Sequence, residues 1–392
     1  MKSIELFAGA GGLGMGVGRA GVTPTKVVEW DRWCCDTIRE NRITGISDLN
    51  NWPEPTEGDV RTVDFRGHEG RIGLVTGGPP CQPFSLGGRH RGHADARDMW
   101  SEAVRVVRET KPLAFIFENV KGLTRASFAT YLAYVLHQLT YPEVVRKDGE
   151  DWAEHLGRLE QHHSANGGRL QGGLAYNVIL RVLNAADYGV PQRRERVVFV
   201  GFRNDLGIEW SFPDPTHSLD ALLWDQVHTT DYWERHAVPF RERFIASRLY
   251  DRAKRVKERP GMAPWRTVRE AIFDLPDPEK NPRMAANVRD HRFQPGTRVY
   301  PGHTGSPLDE PAKTLKAGVH GVPGGENMLA RPDGGVRYFT VRESARLQTF
   351  PDDFRFHGSW TETMRQLGNA VPVRLAEVIA RSVCEHLSAA AS

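Results

Sequence analysis

Three prolines within five positions frame a single cysteine in Gly77-Gly78-Pro79-Pro80-Cys81-Gln82-Pro83-Phe84-Ser85. Each proline ring fixes φ and removes a backbone donor, so this segment is stiff and cannot be helical. It follows an apolar run ending at Thr76, which holds the thiol where α/β enzymes bind ligands, past the carboxyl end of a strand. Most free cysteines are small buried hydrophobes, and Cys34, Cys35 and Cys384 read that way. In its proline frame Cys81 reads instead as a nucleophile, which must act as a thiolate. A second chemical group closes another apolar run, in Phe117-Glu118-Asn119-Val120. Alone, Glu118 would be a solvated strand end or a helix cap; beside a cysteine loop on the same sheet edge it is a candidate acid.

A third block, Phe7-Ala8-Gly9-Ala10-Gly11-Gly12-Leu13-Gly14, sits between a strand-like run and a helical one. Its glycines let the backbone turn tightly and approach a ligand, and the following helix aims its first amides at that ligand. Glu29, ending the next strand, is placed to hydrogen-bond ribose hydroxyls. The spacing satisfies Gly-x-Gly-x-x-Gly with an acid about 20 residues on, so NAD and other nucleotide cofactors both fit. A purely structural glycine turn fits as well. Two further blocks are ambiguous in isolation. Gln192-Arg193-Arg194-Glu195-Arg196 reads as a solvated charge run, and Gln366-Leu367-Gly368-Asn369-Ala370-Val371-Pro372 as a turn and helix start.

Only a sheet can gather groups so far apart in sequence. Apolar runs at 4–7, 26–30, 72–76, 113–117, 176–183 and 197–202 read as strands. Residues 96–109 place Met99, Trp100, Ala103, Val104 and Val107 at helical spacing. This alternation predicts an α/β fold with a mostly parallel sheet. Residues 142–172 are polar and read as a surface insertion. After about residue 204 proline and aromatic residues rise and the alternation is lost. Arg241 to Arg259 reads as one long amphipathic stretch, Gly/Pro-rich turns fill 296–335, and helical patterns return at 341–348 and 372–387. The expected division is a catalytic and cofactor-binding domain of 1–204 with 339–392, and a smaller inserted domain of 205–338.

With 39% hydrophobic and 26% charged residues the composition is that of a globular protein. No apolar run reaches the roughly 20 residues needed to span a bilayer, and the N-terminal residues show no secretory pattern. Four cysteines in 392 residues are too few for a disulfide framework, and none has zinc-ligand spacing. No metal and no membrane partner are expected, and a reducing, cytoplasmic compartment fits. A net charge of +3 permits nucleic acid without arguing for it.

Taken together, Pro-Pro-Cys-Gln-Pro-Phe-Ser, Glu-Asn-Val, Gln-Arg-Arg-Glu-Arg and Gln-Leu-Gly-Asn-Ala-Val-Pro resemble the cytosine-5 DNA methyltransferase family in order and spacing. The resemblance covers most of 1–204 and 336–380, and Arg342 to Pro351 is similar to the family's penultimate block. It implies a Rossmann-like S-adenosyl-L-methionine-dependent methyltransferase sheet with an inserted target-recognition domain. It further implies a flipped-out cytosine in double-stranded DNA, with Cys81 bonding to carbon 6 of the ring. Glu118 is the implied partner of N3 and the exocyclic amine, with burial beside Phe115 and Phe117 expected to favour its protonated form. Arg194 and Arg196 are implied near O2 and the backbone phosphate. For the cofactor, the resemblance implies Phe7, Gly9, Gly11, Gly12 and Leu13 at the methionine end. Glu29 falls at ribose, Trp30 on adenine, Asp59 and Val60 at the adenine edge, Pro79 and Met99 at the pocket wall. Asn369 and Val371 complete the pocket.

The segment from Ser85 to Asp98, basic and glycine-containing, reads as a lid over DNA. In the insert, Arg248, Arg252, Lys254, Arg255 and Lys257 are candidates for phosphate contact or for a solvated face. The turns from Lys316 to Arg331 are candidates for base readout, and Thr314-Leu315 resembles a dipeptide of the family's target-reading domain. A monomer acting at the nucleoid is expected, as the modification half of a restriction-modification pair with a cognate endonuclease. A transfer-RNA cytosine-5 methyltransferase would share the catalytic set, though a large unmatched insert favours a duplex. A DNA-binding regulator without catalysis would be expected to have lost Cys81 or Glu118, and a nicotinamide dehydrogenase gives Cys81 no role.

Overall fold

The computed structural model describes residues 1–80, 99–165, 173–298, 304–317 and 327–391. The chain forms two compact units by packing: Met1–Leu183 with Glu195–Phe212 and Ile379–Ser392, and Asn184–Arg194 with Pro213–Val378. Among the described residues no helix is long and apolar enough to cross a membrane.

The first unit is built on seven strands: β1 (Lys2–Leu6), β2 (Thr23–Glu29), β3 (Thr56–Glu57), β4 (Leu74–Gly77), β5 (Ala114–Val120), β6 (Tyr176–Asn184) and β7 (Glu195–Arg203). They lie in the order β3-β2-β1-β4-β5-β7-β6. β1 to β5 pair in parallel, whereas β7 runs antiparallel to β5. The chain therefore travels outward from β1 through β2 to β3, then returns to start β4 on β1's other side. The order reverses between β1 and β4, and such a switch point opens a crevice at the carboxyl ends of the two strands. The glycine block leaves β1 there and the proline-framed block leaves β4.

Strands buried on both faces need apolar side chains throughout, and β5 supplies Ala114, Phe115, Ile116 and Phe117, all buried. Phe115 stacks on Phe117 with ring centres 5.2 Å apart. Helix α3 (Trp100–Thr110) seals this side with Trp100, edge-on to Phe117 at 6.0 Å and to Phe199 at 4.9 Å. The remaining helices of the unit include α1 (Gly12–Arg19), α2 (Arg32–Ile43), α4 (Ala129–Thr140) and α5 (Trp152–Ala165). Every strand read from the sequence is present. The two-residue β3 escaped because it is too short to show a period. Residues 142–172 are more than a surface insertion, since α5 docks on α4. Tyr134 Oη lies 2.9 Å from Nδ1 of the buried His155, whose Nε2 lies 2.7 Å from the Val144 carbonyl oxygen.

The second unit holds short helices, among them α6 (Leu219–Leu223), α7 (Asp231–Arg235), α8 (Ser247–Ala253), α9 (Val268–Ile272), α10 (Pro282–Ala285), α11 (Val341–Leu347) and α12 (Trp360–Asn369). Residues 241–259, read as one long amphipathic stretch, are α-helical only over α8. Leu249 and Ala253 are its buried residues, one turn apart, which is too little apolar surface to anchor a longer helix. Gln366 to Asn369 ends α12 instead of starting the last helix, α13 (Val373–Ala391).

Candidate active site

Four strand ends and one strand start supply the candidate residues of the first unit. At the end of β1 the chain bends through positive φ at Phe7 (53°), Gly9 (55°) and Gly11 (88°), a region that side chains other than glycine's occupy at a cost. Glu29, at the end of β2, fastens this bend. Its Oε2 accepts the Gly9 N–H at 2.7 Å and its Oε1 accepts the Asp31 N–H at 2.7 Å. Burial pushes the Glu29 carboxyl above its ordinary pKa, while those amides pull it down. Each carboxylate oxygen has a second lone pair to offer, so the contact with Gly9 leaves room for a ribose hydroxyl.

Trp30 follows, its indole 68% exposed on a protein that buries most of its large aromatics. Open space lies where a side chain on Gly9 would stand. Val60 is buried beside Asp59, whose carboxylate receives the Arg61 Nε at 3.0 and 2.8 Å. The Arg61 guanidinium holds that carboxyl below its usual range. A glycine cradle, a carboxylate at its lip and a flat exposed indole are the parts an adenosine-bearing cofactor requires. These residues fit S-adenosylmethionine.

At the end of β4 Pro79 and Pro80 are held by hydrogen bonds to their carbonyls. Asn119 Nδ2 donates to the Pro79 carbonyl at 2.9 Å, and the Met99 N–H donates to the Pro80 carbonyl at 3.2 Å. Cys81 and the lid expected over 85–98 lie outside the described residues. The sequence reading gave Asn119 no role, although its place beside Glu118 on a strand end offered the hint. Asn119→Leu should leave the Pro79 carbonyl without its donor and lower stability by about 1–3 kcal/mol in urea unfolding. An unchanged midpoint would show that this bond carries no weight.

Glu118, on β5, is 8% exposed, and its Oε1 meets the Arg196 Nε at 2.6 Å. The antiparallel register sets Arg196 opposite Val120, so its side chain reaches diagonally to Glu118. Burial pulls the Arg196 guanidinium below its ordinary pKa, with the Glu118 charge holding it up. The Arg196 guanidinium is a charge partner that the expectation for Glu118 from burial alone did not include. A side-chain carbon on Gly78 would stand 3.3 Å from Glu118 Oε2, so glycine keeps the carboxylate close to the proline block.

Arg194 belongs to the second unit and is fully buried. Its Nη1 donates to the Leu315 carbonyl at 3.0 Å and its Nη2 to the Gly368 carbonyl at 2.7 Å. Gln192, equally buried, receives the Leu315 N–H at 3.0 Å and donates to the Leu347 carbonyl at 3.2 Å. Gln348 donates to the Leu367 carbonyl. Gln192 and Arg194, from the block that looked like surface charge, are thus tied with the backbone of 315, 347 and 368 into one buried lattice of side chain to carbonyl bonds. In this arrangement two of the Arg194 nitrogens that were expected near O2 and a phosphate are engaged by carbonyls. Asn369 is exposed and Val371 buried, both also in the second unit.

Farther along that unit, Arg252 pairs with Asp220 at 2.6 Å, and Lys254 lies 4.6 Å from the centre of the Tyr250 ring. Arg255 donates to the Asp251 carbonyl. Arg248 and Lys257 are exposed and form no ion pair among the described residues. Arg331 is held by Asp277 at 3.3 Å and by Glu279. It lines a cleft of about 1070 Å³ together with Arg235, Arg241, Arg266, Arg269 and Lys280, none of which the sequence reading singled out.

The model of the C-5 cytosine-specific DNA methylase family matches residues 1–141 and 171–385. The chain is 32% identical over 399 residues to the type II methyltransferase M.PspPI of Psychrobacter sp. (strain TA137), covering 99% of this chain and 80% of that protein. It is 29% identical to the type II methyltransferase M.NgoMIV of Neisseria gonorrhoeae, over 98% of this chain and 97% of the relative. Among solved structures, the S. pombe Dnmt2 methyltransferase aligns over 99% of both chains with a TM-score of 0.55 at 16% identity. The Entamoeba histolytica methyltransferase EhMeth aligns over 100% of this chain and 99% of its own, with a TM-score of 0.54 at 13% identity. These two likenesses bear on the fold, and the extent of the sequence match carries the assignment: the chain belongs to the C-5 cytosine-specific DNA methylase family.

Proposed function

We propose that this methyltransferase modifies a cytosine flipped out of a specific duplex DNA site, through a transient bond between Cys81 and carbon 6 of the ring. Carbon 5 of cytosine is a weak nucleophile. Addition of the Cys81 thiolate to carbon 6 makes carbon 5 enamine-like and sends charge towards N3 and O2. Glu118 faces N3 and the exocyclic amine; its carboxylate takes up a proton from solvent as the base enters and presents that proton to N3. Arg196, ion-paired with Glu118, supplies positive charge beside O2. S-adenosyl-L-methionine would be held by Phe7, Gly9, Gly11, Gly12 and Leu13 at one end and by Glu29 and Trp30 at the other, and would supply an electrophilic methyl group that passes to carbon 5 as its bond to the sulfonium sulfur breaks and the thioether leaves. A base then takes the carbon 5 proton, the carbon–sulfur bond to Cys81 breaks, and N3 returns its proton to Glu118. Asp59, Val60, Pro79 and Met99 line the cofactor pocket of the first unit. A base stacked in the duplex cannot reach a protein thiol, so the nucleotide leaves the helix at a cost of a few kcal/mol.

The observation that carries this reading is the meeting of Glu118, Arg196 and the proline-framed block at the sheet edge beside the cofactor cradle. The domain of 205–338 reads the DNA site, with Arg248 and Lys257 on phosphates. By likeness to type II relatives, the chain serves as the modification enzyme of a restriction-modification pair, acting as a monomer. Incubation with tritiated cofactor and either duplex DNA or transfer RNA tests the substrate. Label in DNA as 5-methylcytosine is the expected result; label confined to RNA would overturn it.

A further inference from the structure

Glu5 lies in the middle of β1, buried from solvent, with no counter-charge among the described residues. The apolar strand around it gives no reason for a carboxyl there. β4 contributes Thr76, whose hydroxyl donates to Glu5 Oε2. From α1, Gly14 comes so close that a side-chain carbon on it would stand 3.2 Å from the Glu5 carboxyl carbon. The same point is 2.6 Å from the Trp52 ring, so only glycine fits between them. Glu5 Oε1 and Trp52 Nε1, both buried, have no partner among the described residues. On the flanking strands Glu5 stands level with Val27 of β2 and Thr76 of β4, and no charged side chain acts on it.

An ionised carboxylate in this setting would face desolvation with one hydroxyl and one backbone amide as its donors and no counter-charge among the described residues, and such a group takes up a proton instead. Burial accordingly raises the Glu5 pKa to about 8, with the Thr76 hydroxyl and the Gly14 amide pulling the other way. Three parts of the site converge on this one side chain. The glycine bend leaves β1 two residues later, α1 packs over it through Gly14, and Thr76 stands on the strand that leads to the proline block.

We propose that Glu5 is a positioning residue that works as a neutral acid, tying the start of α1 and strand β4 to β1 so that the cofactor cradle keeps its shape. The inference rests on the reading of the glycine bend as the cofactor cradle. Ionisation leaves a buried charge that is relieved only by moving Gly14 or Thr76, and either movement loosens the cradle. The sign follows from linkage. A carboxyl whose folded pKa lies above its unfolded value favours the folded state fully at low pH, and that advantage drains away as pH rises from the unfolded value of 4.5 to about 8.

Calorimetric binding of S-adenosylhomocysteine to the full-length protein without DNA, from pH 6.5 to 9.5, tests the proposal. Wild-type affinity should fall about tenfold between pH 7 and pH 9, relative to Glu5→Gln, because one more proton is held in the competent state. Glu5→Gln should bind at pH 7 within about twofold of wild type. Thr76→Val, which removes the donor favouring the charge, should move the wild-type inflection to higher pH and serves if Glu5→Gln does not fold. Parallel pH profiles for wild type and Glu5→Gln would overturn the proposal, as would an inflection that Thr76→Val leaves in place. Failure to bind at any pH in every variant would instead sink the cradle reading itself.

Discussion

Alanine at position 81 is expected to abolish methylation while leaving the protein folded and able to bind its cofactor. The loss should be on the order of 10⁴-fold or more, as when other enzymes lose a covalent nucleophile. No other thiol can substitute. Cys34 and Cys35 are buried in α2, and burial pushes the Cys35 thiol up to about 12 and the Cys384 thiol up to about 11. Neither can form a thiolate near neutral pH. Bisulfite sequencing of DNA from cells expressing wild type or Cys81→Ala reads activity and site together. Conversion-resistant cytosines at one recurring sequence are expected for wild type and at none for the variant. Persistent methylation by Cys81→Ala would remove the nucleophile from the mechanism.

A second large effect is expected at the ion pair of Glu118 and Arg196. Glu118→Gln keeps shape but cannot give up a proton to N3, and should cost roughly 10² to 10⁴-fold in kcat. Arg196→Met should do something different. It strands a nearly buried carboxylate and should lower stability by about 3–5 kcal/mol, the cost of breaking one side of a buried pair. Glu118→Gln combined with Arg196→Met removes the stranded charge, so stability should recover much of the way while activity stays lost. Urea unfolding of the four proteins beside a methylation assay separates the two contributions. A double variant no more stable than Arg196→Met alone would show that the pair is not the source of the cost.

The fold of the first unit was legible because central strands buried on both faces must be largely apolar. β1, β4, β5 and β7 carry that pattern with punctuation at their ends. The candidate site was legible for a related reason: its residues sit where such strands stop, and proline and glycine mark the stops. Arg194 and Gln192 were harder. A run of charge gives no sign of whether its partners are water or carbonyls contributed from 315 and 368, and here the carbonyls took them. Glu5 was invisible for the opposite reason, since a single acid inside an apolar strand reads as noise until Thr76 and Gly14 are seen against it. The second unit was read least well. Its strands run two or three residues, too short for a period, and its helices are held by caps such as the Thr340–Glu343 capping box more than by amphipathic stripes.

Residues 142–170 fall outside the family match, yet α5 within them is docked by buried tyrosine–histidine contacts.

The covalent step admits a direct trial with duplex oligonucleotides carrying 5-fluorocytosine at the target position. Fluorine cannot leave carbon 5 as a proton does, so once the methyl has been transferred the bond between protein and base has no route to break. The account predicts a stable complex whose mass is the sum of protein, oligonucleotide and one methyl group, with peptide mapping placing the link on Cys81. Full methylation of ordinary cytosine by a protein that never forms this complex would contradict it.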